Sequence, residues 1–129
     1  MKTQRLFLLV LLGLQMATQI VAQKINGISF VASNDKINLK HVQPVLKING
    51  NYVALMPFGF IKDLNEPTIR YNSNRQWFGE TRKGLEHYAT EFQKKNIKIM
   101  LKPQLWVWRG EYTGLIEMKT EANWKVLEN

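Results

Sequence analysis

No cysteine occurs in the chain, and this absence removes several classes of protein at once. A disulfide framework, a thiol nucleophile, a thiolate metal centre and lipid attachment through a thiol are all excluded. Histidine is almost as scarce: His41 and His87 are far apart in sequence and both sit in helical context, so no metal site is expected from them. No phosphate-cradling glycine loop and no dinucleotide fingerprint is present, so nucleotide and redox chemistry lack support and no cofactor is expected. The apolar run Leu6 to Leu14 falls short of the roughly 20 residues that a membrane-spanning helix needs.

What is present is the composition of an ordinary globular domain: 129 residues, 45% hydrophobic, with a formal net charge of +8. The opening "MKTQRLFLLVLLGLQMATQIVAQ" places Lys2 and Arg5 before the apolar run and small residues up to Ala22, the three-part layout of a secretory signal. Residues 1–22 are therefore expected to be removed, leaving Gln23 or Lys24 first and an exported product, periplasmic or extracellular, that meets a membrane only through the signal. That product carries 16 basic and 10 acidic residues, a charge of +6. The surplus is scattered over Lys36, Lys40, Lys47, Lys62, Arg70, Arg75, Lys94 and Lys95 without a basic block, which reads as a solvated surface and gives nucleic acid no support.

Patterning predicts a first buried strand over "INGISFVA", Ile25 to Ala32. In "NLKHVQPVLKI" the spacing of Leu39, Val42 and Leu46 predicts a helix with Pro44 in or near its first turn, since an interior proline costs about 3 kcal/mol. Asn49 and Gly50 stop it. Tyr52 to Met56 predict a strand covered on both faces, ended by Pro57 and Gly59. From Ile61 to Gly79 the chain reads as a long loop. A helix from about Glu80 to Lys95 follows, with Leu85, Tyr88, Ala89 and Phe92 as its apolar stripe and Glu91 placed to pair with Lys95. Asn96 is a left-handed cap, "IKIMLKPQL" a third strand, and "KTEANWKVLEN" a helix opened by Thr120 with Trp124 and Leu127 on one side.

The order strand, helix, strand, helix, strand, helix specifies an α/β fold with a parallel sheet of βα units. Chemistry in such sheets collects at the carboxyl ends of the strands, which is where Ser33, Phe58, Trp77, Gln104, Trp106, Trp108 and Arg109 fall.

The segments "INGISFVAS", "VALMPFGF", "QWFGETRKG", "NIKIMLKPQLWVWRGEYTG" and "KTEANWKVLEN" resemble the N-terminal part of secreted bacterial glycoside hydrolases of the family 113 type, β-mannanases among them. The resemblance runs in order over Ile25 to Asn129, and its most telling piece is Trp108, Arg109 and Gly110 after the third strand. It implies that residues 24–129 are the first three βα units of a (β/α)8 barrel, apparently truncated. It also implies retaining hydrolysis of a β-linked polysaccharide by two glutamates, one ending the fourth strand and one the seventh. Neither has a counterpart in these three units, so no catalytic residue is expected here. Glu80, Glu111 and Glu117 read instead as a helix-capping acid and solvated loop acids.

For Trp108 and Arg109 the expected role is a sugar-binding corner, an indole against the C–H face of a pyranose with a guanidinium donating to hydroxyls. The alternative is arginine stacked on tryptophan as packing. Trp106 and Trp108 share an extended segment, and one is expected to face inward while the other meets the helix layer. Gln104 and Lys102 share a face and could bind hydroxyls, although Lys102 also suits an internal ion pair. Trp77 suits a cleft wall or the core, and Phe58 and Phe60 a hydrophobic wall. The partner is a polysaccharide or oligosaccharide, and oligomeric state is open. The alternatives to a hydrolase segment are a non-catalytic carbohydrate- or partner-binding protein and a gene fragment without function.

Overall fold

The computed structural model describes residues 24–129; the expected signal at 1–22 lies outside them. Its architecture is mixed α/β, with parallel strands and three helices. β1 (Gly27–Phe30) is followed by α1 (Leu39–Lys47), β2 (Tyr52–Leu55), β3 (Phe58–Ile61), α2 (Arg82–Gln93), β4 (Lys98–Leu101), β5 (Gln104–Val107) and α3 (Glu121–Glu128). Short 3-10 turns at Phe78–Glu80 and Thr113–Leu115 precede the second and third helices. Among the described residues no helix is long and apolar enough to cross a membrane.

The five strands are two long ones, each interrupted once, beside a short one. β1, β2 and β4 form one parallel sheet in that order, and β3 pairs with β5 in parallel. Leu55 lies opposite Leu101 and Phe58 opposite Gln104, the same 46-residue offset on either side of the interruption. Pro57 therefore faces Pro103, and the ladder runs past both: Lys102 donates to the Leu55 carbonyl at 2.9 Å and Gln104 to the Pro57 carbonyl at 2.8 Å. The second strand thus stops at Leu55, before Pro57 as expected, but pairing resumes at Phe58, so Gly59 lies inside β3 and not at a strand end, and the third strand's pairing continues through β5 to Val107, beyond Leu105. Lys98, Lys102, Gln104 and Trp108 all donate inward to β2–β3, so alternation points the vacant nitrogen of Pro103 outward, to the open edge, where proline is tolerated.

Because alternation is unbroken, each sheet face has a consistent set of side chains. Val53 and Leu55 pack with Ile97 and with Val42 and Val45 of α1 and Tyr88 and Phe92 of α2 into one buried cluster, with Ile28, Phe30 and Ile99 half-buried against it. Both helices thus cover the same face. The opposite face carries Ser29, Ala54 and Met100, and Met100 is 59% exposed. The first strand is accordingly not the doubly buried element its apolar run suggests: Gly27 and Ser29 are exposed, and Val31 just beyond it is 71% exposed. An apolar run records hydrophobicity but not which of its faces meets a helix.

Local chemistry sets the helix limits. Asn38 caps α1 by accepting from Lys40, while its own N–H donates to His41 Nδ1. Pro44 lies well inside α1 and not in its first turn. It is exposed, and burial of Val42 and Val45 on the other side of the helix offsets the missing backbone bond. Asn49 and Asn96, at φ 55° and 58°, take the left-handed positions after their helices. Thr81 caps α2, which starts at Arg82, so Glu80 belongs to the preceding 3-10 turn. Glu91 pairs with Lys94, not Lys95; that hydrogen bond holds its carboxyl below the usual range. Thr120 caps α3, which buries no residue, although Trp124 and Leu127 are half-covered.

The turn at Phe78–Glu80 is locked to its surroundings. Gly79 donates to the Ser33 carbonyl at 2.9 Å and Phe78 to Asn34 Oδ1 at 3.0 Å. The buried Tyr88 hydroxyl donates to the Asp35 carbonyl at 2.9 Å and lies 3.2 Å from Ser33 Oγ. Two glycines permit this contact: a Cβ on Gly79 would sit 2.6 Å from the Tyr88 hydroxyl, and one on Gly84 would sit 1.7 Å from the Phe78 carbonyl oxygen. Gly84→Ala therefore forces backbone apart, and a loss of about 2–3 kcal/mol in stability is expected in urea unfolding. A loss below about 0.5 kcal/mol would show that the turn does not pack on α2 as described.

Candidate functional site

The carboxyl ends of β3 and β5 open into a cleft of about 980 Å³. Its floor is Phe60 and Ile61, and its walls come from the two segments that leave these strands. On one side Trp108, Arg109 and Glu111 follow β5; on the other, Arg70, Arg75 and Trp77 belong to the long connection between β3 and α2. A cleft beyond the carboxyl ends of parallel strands is where open α/β sheets place ligands.

The long connection is held, despite its polar composition. Phe60 donates to the Arg70 carbonyl at 2.9 Å and Arg70 returns a bond to Phe60 at 2.8 Å, an antiparallel bridge along the side of β3 opposite β5. Gln76 Nε2 donates to the Phe58 carbonyl at 2.8 Å, and Trp77 N–H donates to Glu80 Oε2 at 3.2 Å. The Trp77 backbone is thus tied from both flanks, while its indole stays 52% exposed.

Across the cleft the chain turns sharply. Trp108 donates to the Ile61 carbonyl and Gly110 to the Val107 carbonyl, at 2.9 and 3.1 Å. Arg109 lies at φ 79° and Gly110 at φ 78°. The left-handed region is costly for a branched or long side chain, and such residues concentrate at functional sites. The turn keeps the Trp108 indole 54% exposed beside the cleft.

Of the six residues expected to touch ligand, Trp77, Trp108 and Arg109 are brought together here. Gln104 lines a second, more apolar cavity of about 590 Å³ together with Leu85, Ala89, Leu101 and Leu105. Trp106 and Lys102 line neither cavity. Trp106 stands edge-on to Phe58 at 5.9 Å, and Phe58 is stacked near Phe60 at 6.5 Å. The two tryptophans do not divide between an interior and a helix layer, because a two-residue period gives them one side, and Trp106 is 52% exposed.

Sequence reading missed Arg70, Arg75 and Lys62 as cleft residues. Glu80 and Glu111, read as a helix-capping acid and a solvated loop acid, also line that cleft, and Glu80 is engaged by Trp77 N–H. For Lys62, Arg70 and Arg75 the only linear signal was membership of the long polar connection. Among the described residues no three His, Asp or Glu side chains gather into a metal site. The arrangement can stack flat rings on indoles and hydrogen-bond them with guanidinium groups.

Arg109 separates backbone strain from side-chain role. Arg109→Gly removes the left-handed penalty of about 1–2 kcal/mol at some entropic cost, so stability is expected to be unchanged or raised by up to about 1 kcal/mol. Arg109→Val is expected to lose about 1–2 kcal/mol, since a β-branched residue tolerates this conformation least. Denaturation midpoints in the opposite order would contradict the turn geometry.

Compared with protein-family models, with curated proteins and with solved structures, the chain matches none.

Proposed function

We propose that this chain supplies the leading βα units of an exported (β/α)8 glycoside hydrolase acting on a β-linked, mannan-like polysaccharide, and that the cleft of Trp77, Trp108 and Arg109 is its sugar-binding corner. The observation that carries this reading is the pair of half-exposed indoles flanking a cleft at the carboxyl end of a parallel sheet. Indole faces suit the apolar C–H side of a pyranose, and guanidinium donors suit its hydroxyls.

Two features support a barrel segment in particular. β4 and β5 end their sheets in an open edge, where alternation leaves the backbone of Ile99, Leu101 and Leu105 facing outward, a template for a further strand. The face opposite α1 and α2, with Met100 and Trp106 exposed, corresponds to the one a closed barrel turns inward. The three units present hold no match to the family's glutamates, so their part is to bind sugar.

The test is intrinsic fluorescence of the purified chain, which has four tryptophans, titrated with β-linked manno-oligosaccharides. Saturable change without product release is expected, with Trp77→Ala and Trp108→Ala each weakening affinity about tenfold, one stacked ring's worth. Trp124→Ala should leave it unchanged. Hydrolysis by this chain, or equal effects of all three substitutions, would contradict the proposal.

A further inference from the structure

Folding gathers cations that the sequence scatters. Lys62, Arg70, Arg75 and Arg109 all line the cleft, and among the described residues none of them makes an ion pair. Elsewhere charges do pair, Arg82 with Glu86 and Lys94 with Glu91. Three acids share the cleft, Asp63, Glu80 and Glu111. Asp63 accepts from the Asn65 N–H and Glu80 from the Trp77 N–H, so both face their own backbone turns.

Two of the guanidinium groups are mounted on fixed backbone. Arg70 is bridged by two hydrogen bonds to Phe60 on one side of β3, and Arg109 sits in the turn that Trp108 anchors to Ile61 on the other. They thus flank one strand end, in a cleft that the exposed Trp77 and Trp108 also line. The cleft also holds partners for neutral hydroxyls, Ser73, Asn74, Gln76 and the three carboxylates, but guanidinium groups that make no ion pair with any of these acids add a bidentate match for carboxylate or sulfate oxygens that a neutral sugar does not use.

We infer that the cleft selects an anionic glycan, a β-linked pyranose bearing a carboxylate or a sulfate ester, with the ring against Trp77 or Trp108 and the anion held by Arg70 and Arg109. This rests on the carbohydrate reading above and narrows its substrate class. The chain's surplus of cations adds long-range attraction for such a polymer.

The experiment is calorimetric titration of the full chain with three oligosaccharides of matched length: a neutral β-mannan, a β-linked uronate and a sulfated β-mannan, each at low and high salt. The charged ligands are expected to bind at least about fivefold more tightly than the neutral one at low salt, with the margin shrinking at high salt. Arg70→Gln should abolish most of that margin while leaving neutral binding and the circular dichroism spectrum unchanged, whereas Arg109→Gly, which also removes a donor to sugar hydroxyls, should weaken all three ligands and the charged ones most. Tighter binding of the uronate would identify the anion as carboxylate, and of the sulfated sugar as sulfate ester; both outcomes support the inference. Equal affinity for neutral and charged ligands would overturn it while leaving the carbohydrate reading intact. A charge preference that survives both arginine substitutions would overturn it too, assigning the effect to net charge alone. Failure to bind any of the three would overturn both readings.

Discussion

The hydrogen-bond ladder that crosses Pro57 and Pro103 governs the rest of the structure. Proline removes a donor, and one inside a strand ordinarily ends its pairing. Here the two prolines lie opposite one another, so both strands yield at the same level and the register before and after is identical. The bonds from Lys102 to Leu55 and from Gln104 to Pro57 span the gap. One proline costs an inner bond, and the other spends its missing donor on the open edge.

From that continuity the cleft follows. With register kept, β3 and β5 end side by side, and the segments leaving Ile61 and Val107 become opposing walls. Below, Val53 and Leu55 fix the same strands to the helices, and Tyr88 ties α2 to the loop after β1. The 3-10 turn that ends the Trp77 wall is pinned to the same loop through Ser33 and Asn34. The core and the cleft are therefore two ends of one pair of strands, and the mobility expected of a long polar connection is reduced by its bridge to Phe60.

How much of this was legible in the sequence depends on whether the determinant was local. The stripe of Leu85, Tyr88, Ala89 and Phe92 gave the second helix because its period lies within one element, and Tyr88 and Phe92 are indeed buried. Asn49 and Asn96 announced their turns for the same reason. The prolines misled, since only the pairing of residues 46 positions apart reveals that they face each other. The apolar first strand misled because burial depends on helices elsewhere. At the site, the indole of Trp108 and the guanidinium of Arg109 were visible as chemistry, whereas Arg70 and Arg75 looked like solvated charge until the bridge to Phe60 folded their loop back over β3.

The measurement that tests this account most directly is amide hydrogen exchange at Lys102 and Gln104. A ladder that spans the prolines predicts protection close to that of the amides within β2, with Trp108 protected as well, because all three must open together with the paired strands. Exchange at Lys102 and Gln104 as fast as at the exposed loop residue Asn74 would mean that the strands part at the prolines. The cleft would then have no common foundation with the core.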